Sequence, residues 1–487
     1  MEGYNVRITG LEINNFKNVK YGKLSFENNI DKFDINILGL YGQNGSGKTA
    51  LIDVLDLLRR ILVGNQIPDE YANYINVDAE FAKIKYYFKI RDNNYKLIYR
   101  LSYECSLKKE LIHRDNRIDE IDEELENYTD EKAYKVIVFD EELKLLKVND
   151  ESFAKKAPIF STKNTNLFKP KKQFDSLIGC CNVSDTDLLK QRGIVESSSR
   201  SYLFSRELLS LFTENAEKVN EDRKDDFLEV NLCIPLVLSL VDYGRHGLFV
   251  VNTTDFGVIS IDALPLVYKY KVEDDYVIAR KMISLNGTTK LPSERYDLIE
   301  KSIEKLNIAL NEIIPELTIK IRRGNEQMLK NGDVVSLVQL YSLKNEKEIL
   351  LKDESEGIKR IISILQLLVE VYNNPFITVV IDEMDSGVFE YLLGELLEII
   401  SINGKGQLIF TCHNLRPLET IDEKFVAFTT TDPSKRYTRL KTSARFNNLR
   451  DVYYRNIILE SEPQLYCGNS NQKIAFALKE AGGDYNE

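Results

Sequence analysis

Residues Gly42 to Thr49 have the composition and spacing of a phosphate-binding loop. They fit G-x-x-x-x-G-K-[ST] at every defined position. The backbone N–H groups of such a loop, and the start of the helix after it, attract phosphate oxygens. Lys48 is then expected to reach the β- and γ-phosphates of ATP, and the Thr49 hydroxyl to bind Mg²⁺. The ATP-binding residues predicted in this loop are Gly42, Gln43, Asn44, Gly45, Ser46, Gly47, Lys48 and Thr49.

The sequence on both sides of the loop predicts the elements that must position it. Residues 35–41 form an apolar run typical of a buried strand, and residues 50–63 have helical periodicity. The apolar residues of that helix are Leu51, Val54, Leu55, Leu58, Ile61 and Leu62. A glycine-rich turn that happens to contain Lys-Thr is the alternative, and this context disfavours it.

Two acidic residues follow a second apolar run. Residues 377–381, Ile-Thr-Val-Val-Ile, predict a parallel strand buried on both faces. Asp382, at the end of this strand, is placed to hold Mg²⁺ directly or through water. Glu383 is placed to orient and polarise an attacking water. A strand that ends in Asp-Glu is common and is weak evidence for an ATPase by itself. It becomes strong evidence when it follows a phosphate-binding loop in the same chain.

Three shorter segments complete the predicted site. Ser355 and Gly357 precede an amphipathic helix that runs to Tyr372, so hydroxyl and N–H groups can face a γ-phosphate. Asp385 lies in a turn directly after Glu383. His413 follows a buried strand over 407–410. Each segment alone could be an ordinary helix cap, a turn or a polar strand end. The prediction of an ATP site depends on their order and spacing.

Composition indicates a globular protein. The 487 residues are 43% hydrophobic and 29% charged, which is ordinary. No apolar run approaches the roughly 20 residues of a membrane span, and the first residues lack a signal-peptide pattern. We therefore expect a cytoplasmic protein with no membrane partner. Six scattered cysteines without a C-x-x-C pair suit reduced thiols rather than zinc.

The motifs together resemble the RecF/SMC branch of ABC-type ATPases. Residues 11–17, Leu-Glu-Ile-Asn-Asn-Phe-Lys, are similar to the opening strand of that branch. Asp385 stands where these ATPases carry the D-loop, and His413 stands where they carry the switch histidine that senses γ-phosphate. Residues 354–357 and 447–450 resemble compact ATPases of the overcoming-lysogenisation-defect (OLD) type, encoded in bacterial phage-defence cassettes.

The resemblance covers residues 1–110 and 315–460. It implies an ABC-type P-loop ATPase head of α/β class, with a mostly parallel sheet, an antiparallel β lobe and a largely helical insertion. The predicted domains are the N-terminal half of the head (1–110), an inserted lobe (111–314), the C-terminal half of the head (315–450) and an extension (451–487). Within the lobe, Asp185 and Asp187 resemble an acidic metal pair, but capping of a helix start is the favoured role.

The family also implies how the site works. Two subunits would pair head to tail, and Ser355 and Gly357 of the partner would complete each ATP site. ATP with Mg²⁺ then closes a homodimer or larger homo-oligomer, and hydrolysis reopens it. Lys48, Glu383 and His413 are the predicted catalytic residues, and Thr49 and Asp382 the predicted metal ligands.

The expected function is a sensor ATPase of an anti-phage defence system that controls a separate effector protein. OLD-type nucleases carry a C-terminal TOPRIM domain, but 74 of the 487 residues follow His413, too few for that domain. A TOPRIM-type or other nuclease is therefore expected as a second polypeptide. No heptads are present, so the long coiled-coil arms of SMC proteins are not expected.

Two alternatives differ in what the ATPase would act on. A RecF-like DNA-repair ATPase would bind DNA directly. The net charge of −11 argues against a surface that coats nucleic acid but allows a local basic groove. The basic residues that favour this alternative are Arg436, Arg439, Lys441, Arg445, Arg450 and Arg455. A transporter-coupled ABC subunit ranks last, because such subunits are usually shorter and lack a large insertion.

Overall fold

The computed structural model describes most of the chain. The described residues are 3–27, 35–112, 133–149, 151–152, 158–163, 168–179, 181, 183–218, 224–252, 263–272, 275–329, 332, 334–440, 448–459, 464–466 and 471–482. The acid-rich stretch around 117–128 and residues 441–447 of the predicted basic segment lie outside them.

The strands, in chain order, are β1 Tyr4–Phe16, β2 Val19–Ser25, β3 Asn36–Tyr41, β4 Phe81–Asp92, β5 Ile98–Leu111, β6 Tyr134–Val148, β7 Glu151–Ser152, β8 Pro158–Ser161, β9 Leu248–Val251, β10 Ala263–Val272, β11 Asp275–Ser284, β12 Thr289–Pro292, β13 Leu317–Met328, β14 Val334–Lys344, β15 Lys347–Leu350, β16 Thr378–Ile381, β17 Gln407–Thr411, β18 Val426–Thr429 and β19 Tyr437–Thr438. The α-helices are α1 Lys48–Val63, α2 Lys171–Ile178, α3 Asp185–Ser197, α4 Arg206–Lys218, α5 Lys224–Asp242, α6 Tyr296–Ile313, α7 Glu356–Asn373, α8 Glu390–Asn403, α9 Pro417–Thr420, α10 Leu449–Ile458 and α11 Asn471–Gly482. Among these helices, none is both long and apolar enough to cross a membrane.

A six-stranded sheet carries the phosphate-binding loop. Its strand order is β19-β18-β3-β17-β16-β9, and every pairing is parallel except that of β18 with β19. Parallel strands bring their carboxyl ends to one edge of a sheet, where α/β proteins bind ligands. The chain segments that follow β3, β16 and β17 therefore lie side by side at that edge.

A second, antiparallel sheet covers the first. Its order is β2-β1-β4-β5-β6-β7, with β8 also paired to β6. Helix α1 lies between the two sheets in one continuous core, so its apolar residues are buried on all sides. Helices α7 and α8 pack with the opposite face of the parallel sheet. The predicted α/β class, with a mostly parallel sheet and an antiparallel β lobe, is confirmed.

The segment 111–314 contributes strands to both sheets of the head. Strand β6 pairs with β5 over nearly its whole length, from Tyr99↔Val148 to Leu111↔Tyr134. Strand β9 pairs with β16 from Thr378↔Leu248 to Ile381↔Val251 and forms an edge of the parallel sheet. Helices α2 to α6 lie in the same segment. The sequence-based division into a head and an inserted lobe stays a prediction, and these strands show how closely the two are built together.

A buried carboxylate ties this segment to the antiparallel sheet. Glu141 of β6 is fully buried and accepts hydrogen bonds from the hydroxyl of Tyr103 at 2.6 Å and the backbone N–H of Tyr202 at 2.8 Å. Ser201 donates a further hydrogen bond through its hydroxyl. Burial raises the pKa of Glu141, and these donors oppose the shift. Such a group is tolerated inside because its oxygens are satisfied.

The position of α1 predicts its contribution to stability. Leu55 has 0% exposure, so Leu55→Ala should lower the free energy of unfolding by about 2–5 kcal/mol through lost burial and a cavity. Ile308 on α6 is 73% exposed, and Ile308→Ala is the control, with a change within about 0.5 kcal/mol. Urea unfolding followed by circular dichroism measures both. Equal losses in the two variants would contradict the placement of α1.

Candidate functional site

The phosphate-binding loop joins β3 to α1 in a conformation that requires glycine. The backbone φ angles are 152° at Gly42, 73° at Gly45 and 94° at Gly47. Packing also excludes a side chain at Gly42, where a Cβ atom would lie 1.8 Å from Oγ1 of Thr429. Glycine alone allows both the positive φ and the close approach. The end of β18 therefore fixes the shape of the loop.

Side chains of the loop hold it from within. Ser46 Oγ is hydrogen-bonded to Thr429 Oγ1 and donates to the carbonyl of Gln43. Lys48 Nζ donates to the carbonyls of Gly42 at 2.7 Å and Gln43 at 3.1 Å. Together with the hydrogen bond from the backbone N–H of Ser46 to the carbonyl of Gln43 at 3.2 Å, these contacts fix the shape of the loop.

The ammonium group of Lys48 lies in a field of carboxylates. Lys48 is 7% exposed. Burial lowers the pKa of Lys48, and the negative charges of Asp382, Glu383 and Asp385 act in the opposite direction. A polyphosphate would bring further negative charge to the same place and stabilise the protonated form.

The hydroxyl of Thr411 joins the two acids after β16 to strand β17. Thr411 Oγ1 donates to Asp382 Oδ1 at 2.5 Å and accepts from the backbone N–H of Glu383 at 2.8 Å. Asp382 is 2% exposed, whereas Glu383 is half-buried. Glu383 has a φ of 47°, in the left-handed region that residues with a side chain rarely adopt.

Asp385 links the turn after β16 to the loop after β17. Its Oδ2 accepts hydrogen bonds from the backbone N–H groups of His413 at 3.0 Å and Asn414 at 2.8 Å. The His413 side chain is left exposed. Asp385 therefore positions the histidine loop.

These segments enclose one cavity of about 350 Å³. Predicted site residues that follow three different strands line it together, and their roles stay a prediction. The lining comprises Lys17, Asn18, Asn44, Gly45, Gly47, Lys48, Thr49, Ala50, Asp382, Glu383 and His413. The other predicted ATP-binding residues of these segments, Gly42, Gln43, Ser46 and Asp385, are not among the residues that line it.

Ser355 and Gly357 lie at the start of α7, outside the lining of this cavity. The Ser355 hydroxyl accepts a hydrogen bond from the backbone N–H of Ile358 at 3.3 Å and caps the helix. Ser355 is exposed. A Cβ atom at Gly357 would lie 2.8 Å from the carbonyl oxygen of Gly387, so the helix start is pressed against the turn that contains Asp385. The two predicted ATP contacts do not reach the cavity of their own subunit.

Several functional candidates are not marked by any motif. Lys17 and Asn18, in the tight turn between β1 and β2, line the cavity. Asn18 donates a side-chain hydrogen bond to the carbonyl of Gly45, and Lys17 forms an ion pair with the buried Asp53. The signal in the sequence was weak. Asn-Phe-Lys-Asn predicts a turn after a strand, but only the fold brings that turn over the phosphate-binding loop.

The predicted basic segment is largely engaged in internal contacts. Arg436 is 5% exposed and donates to the carbonyls of Thr430 and Asn18. Arg439 donates to three further carbonyls, and Arg450 forms an ion pair with Glu419. These guanidinium groups organise the edge of the head, which weakens the argument for a nucleic-acid groove there.

Sequence comparison finds one matching family. Residues 37–176 match the family described as "AAA domain, putative AbiEii toxin, Type IV TA system". This segment is similar to an AAA domain. It contains β3, the phosphate-binding loop and α1, but ends before Asp382 and His413. No curated protein sequence matches the chain.

Comparison with solved structures finds SMC head domains and the recombination mediator protein RecF. The Smc head domain of Pyrococcus furiosus, bound to the C-terminal domain of ScpA, has a TM-score of 0.39 and 11% identity, and covers 94% of this chain and 100% of that chain. The SMC head domain of Thermotoga maritima has a TM-score of 0.34 and 14% identity, with 90% and 100% covered. The recombination mediator RecF with ATP has a TM-score of 0.34 and 13% identity, with 90% and 100% covered.

The ion pair beneath the cavity predicts a pH effect. Burial raises the pKa of Asp53 to about 6, although Lys17 acts to lower it. The folded protein therefore holds this proton more tightly than the unfolded chain, and the associated stability, present below pH 3.8, is lost as pH rises through about 6. Asp53→Asn should remove this dependence, so the variant should gain about 2 kcal/mol relative to wild type between pH 4 and pH 7.

Urea unfolding at both pH values measures this difference. Asp69→Asn is the matched control, because Asp69 is exposed. Its free energy of unfolding should differ from that of wild type by the same amount at both pH values. A constant difference for Asp53→Asn as well would contradict the raised pKa.

Proposed function

We propose that this chain binds ATP with Mg²⁺ and hydrolyses it to ADP and phosphate. The observation that carries the proposal is the shared cavity, in which Lys48, Thr49, Asp382, Glu383 and His413 meet although they come from three different strand ends. A phosphate-binding loop alone would support binding. A buried acid and a half-buried glutamate beside it support hydrolysis.

The residues present suit a magnesium ion. Thr49 supplies a hydroxyl and Asp382 a carboxylate to the same cavity, and Mg²⁺ prefers such oxygen ligands together with phosphate oxygens and water. Bound there, the ion would neutralise charge on the β- and γ-phosphates. Asp382 is already oriented, because Thr411 donates a hydrogen bond to its Oδ1.

The side chains then have distinct roles in the reaction. Lys48 and the loop N–H groups hold the β- and γ-phosphates and stabilise the charge that develops on them. Glu383 orients a water for attack on the γ-phosphorus, and the bond from that phosphorus to the oxygen retained by ADP breaks in line with it. His413 lines the cavity after the end of β17, the strand between β3 and β16, and is expected to donate a hydrogen bond to the γ-phosphate.

The second part of the proposal is that two copies of the chain form an ATP-dependent clamp. Ser355 is exposed and Gly357 is half-buried, and neither lines the cavity of its own subunit. A second copy packed head to tail would present them to the γ-phosphate across the interface. ATP would then bind the closed dimer better than the open one and shift the population toward it.

The proposed biological role is control of an effector in bacterial defence, and it rests on the description of the matched family. The description of the matched family names a toxin of a type IV TA system, which supports a role in bacterial defence. We propose that the nucleotide state of the clamp controls a separate effector protein, with a nuclease as the expected class. Effector association should therefore differ between Lys48→Ala, which cannot hold ATP, and Glu383→Gln, which holds it without rapid turnover, and equal association in both variants and wild type would contradict this control.

Two substitutions separate binding from hydrolysis. Lys48→Ala should lose ATP binding because the cation of the loop is gone. Glu383→Gln should still bind ATP but turn over about 10²–10⁴-fold more slowly, because an amide cannot accept a proton from water. Equilibrium binding of labelled ATP and phosphate release measure the two effects. Lys305→Ala and Glu398→Gln, at exposed helix positions, are the controls, and wild-type turnover in Glu383→Gln would show that another residue is the base.

The composite site has its own test. The mass of Glu383→Gln in solution should rise when ATP and Mg²⁺ are added. Ser355→Asp keeps an oxygen that caps α7 but places a carboxylate where a γ-phosphate must dock, so it should abolish the rise. Ser355→Asn keeps the cap without the charge and should retain it. Light scattering measures all three, and an equal rise in the Asp and Asn variants would contradict the proposed contact.

A further inference from the structure

Arg360 occupies an unusual position behind the two acids of the cavity. It lies on α7 and is 3% exposed. One nitrogen, Nη2, donates to the backbone carbonyls of Asp382 and Glu383, each at 3.2 Å. The Nε and Nη1 atoms are buried, and neither has a hydrogen-bond partner among the described residues.

A guanidinium group in this state is costly. Burial without full hydrogen bonding disfavours any charge. Burial lowers the pKa of Arg360, and the carboxylates of Glu383, Asp382 and Asp385 oppose that shift. The three negative charges are therefore the compensation that the fold supplies, and they are also the acids around the proposed reaction centre.

The backbone that Arg360 contacts is itself strained. Glu383 is held in the left-handed region, with a φ of 47°, a conformation that costs of order 1–3 kcal/mol and persists only where its surroundings enforce it. Three contacts do so here. Thr411 Oγ1 accepts from its N–H, while Ser386 N–H and Arg360 donate to its carbonyl.

The helix that carries Arg360 is also fixed at its start. The contact between Gly357 and the carbonyl of Gly387 leaves no room for a Cβ atom. Any shift of that helix start must therefore move with the turn after Glu383. Arg360, about one turn further along α7, continues this connection to Glu383 itself.

We infer that Arg360 is a positioning residue for hydrolysis: its guanidinium group fixes the backbone of Asp382 and Glu383 so that the Glu383 carboxylate is aimed at the attacking water. This rests on the proposed ATPase function. Arg360 does not line the cavity, so it acts through Glu383 rather than on ATP. Its role is separate from nucleotide binding, which belongs to the loop and to Lys48.

The test uses Arg360→Met and Arg360→Gln in the full chain. Methionine cannot donate, and glutamine is too short to reach both carbonyls. In either variant kcat for phosphate release should fall by about 10–100-fold, as expected for a displaced catalytic group. KM and the dissociation constant for ATP should change by less than about 3-fold, because such a loss concerns the transition state and not binding.

Lys359→Met is the matched control. Lys359 is buried on the same turn of α7, 5% exposed, but its ammonium group donates to Asn286 and to the carbonyl of Lys352. Lys359→Met removes a buried cation from the same turn of α7 without removing any contact to Asp382 or Glu383, so kcat should stay near that of wild type. A fall in kcat equal to that in Arg360→Met would overturn the inference.

A double-mutant cycle with Glu383→Gln gives the sharpest readout. If Arg360 acts through Glu383, then adding Arg360→Met to Glu383→Gln should slow phosphate release by less than about 3-fold further. Multiplication of the two single losses would overturn the inference, as would wild-type kcat in both Arg360 variants. Absence of phosphate release from the wild-type chain would instead refute the proposed function and is seen before any variant is made.

Discussion

The site depends on the parallel pairing of three neighbouring strands. Because β3 pairs with β17 and β17 with β16, the ends of these strands are fixed a few ångströms apart at one edge of the sheet. Residues separated by more than 300 positions in the chain are thus brought to one cavity. The hydroxyl of Thr411, which bonds to both acids after β16, then converts the approximate proximity of two strand ends into a defined geometry.

The site is arranged around opposing charges that are only partly neutralised inside the protein. Lys48 faces the acids from the cavity, and Arg360 faces them from behind. A carboxylate cluster alone would repel a polyphosphate, and a cation cluster alone would favour any anion. The alternation of the two suits a ligand that carries both negative charge and a divalent ion.

Much of the site could be predicted because its parts are local. The phosphate-binding loop, with its glycines and Lys48, is contained in eight residues, and the apolar run before Asp382 reveals its strand directly. Strand β9 could not be found in the same way, because a run of only four apolar residues does not distinguish a buried strand from a buried helix segment. Its partner in the sheet is 130 residues further along the chain.

The roles of single polar side chains were the hardest to foresee. Arg360 is one of four charged residues on the amphipathic helix α7, and only the structure places it inside. Arg436 belongs to a basic stretch that favoured a local groove in the sequence, whereas the structure buries it against backbone carbonyls. Sequence patterns report the average environment of an element, whereas these residues depend on which element lies beside them.

Strand β9, from the segment 111–314, forms one edge of the parallel sheet of the head. This strand shields one side of β16, whose sequence is Thr-Val-Val-Ile, and its own four residues are buried. A head trimmed of residues 111–314 would present β16 as an open, apolar, β-branched edge, which invites association with other unpaired strands. The head therefore cannot be cut out as an independent module along the boundaries that its motifs suggest.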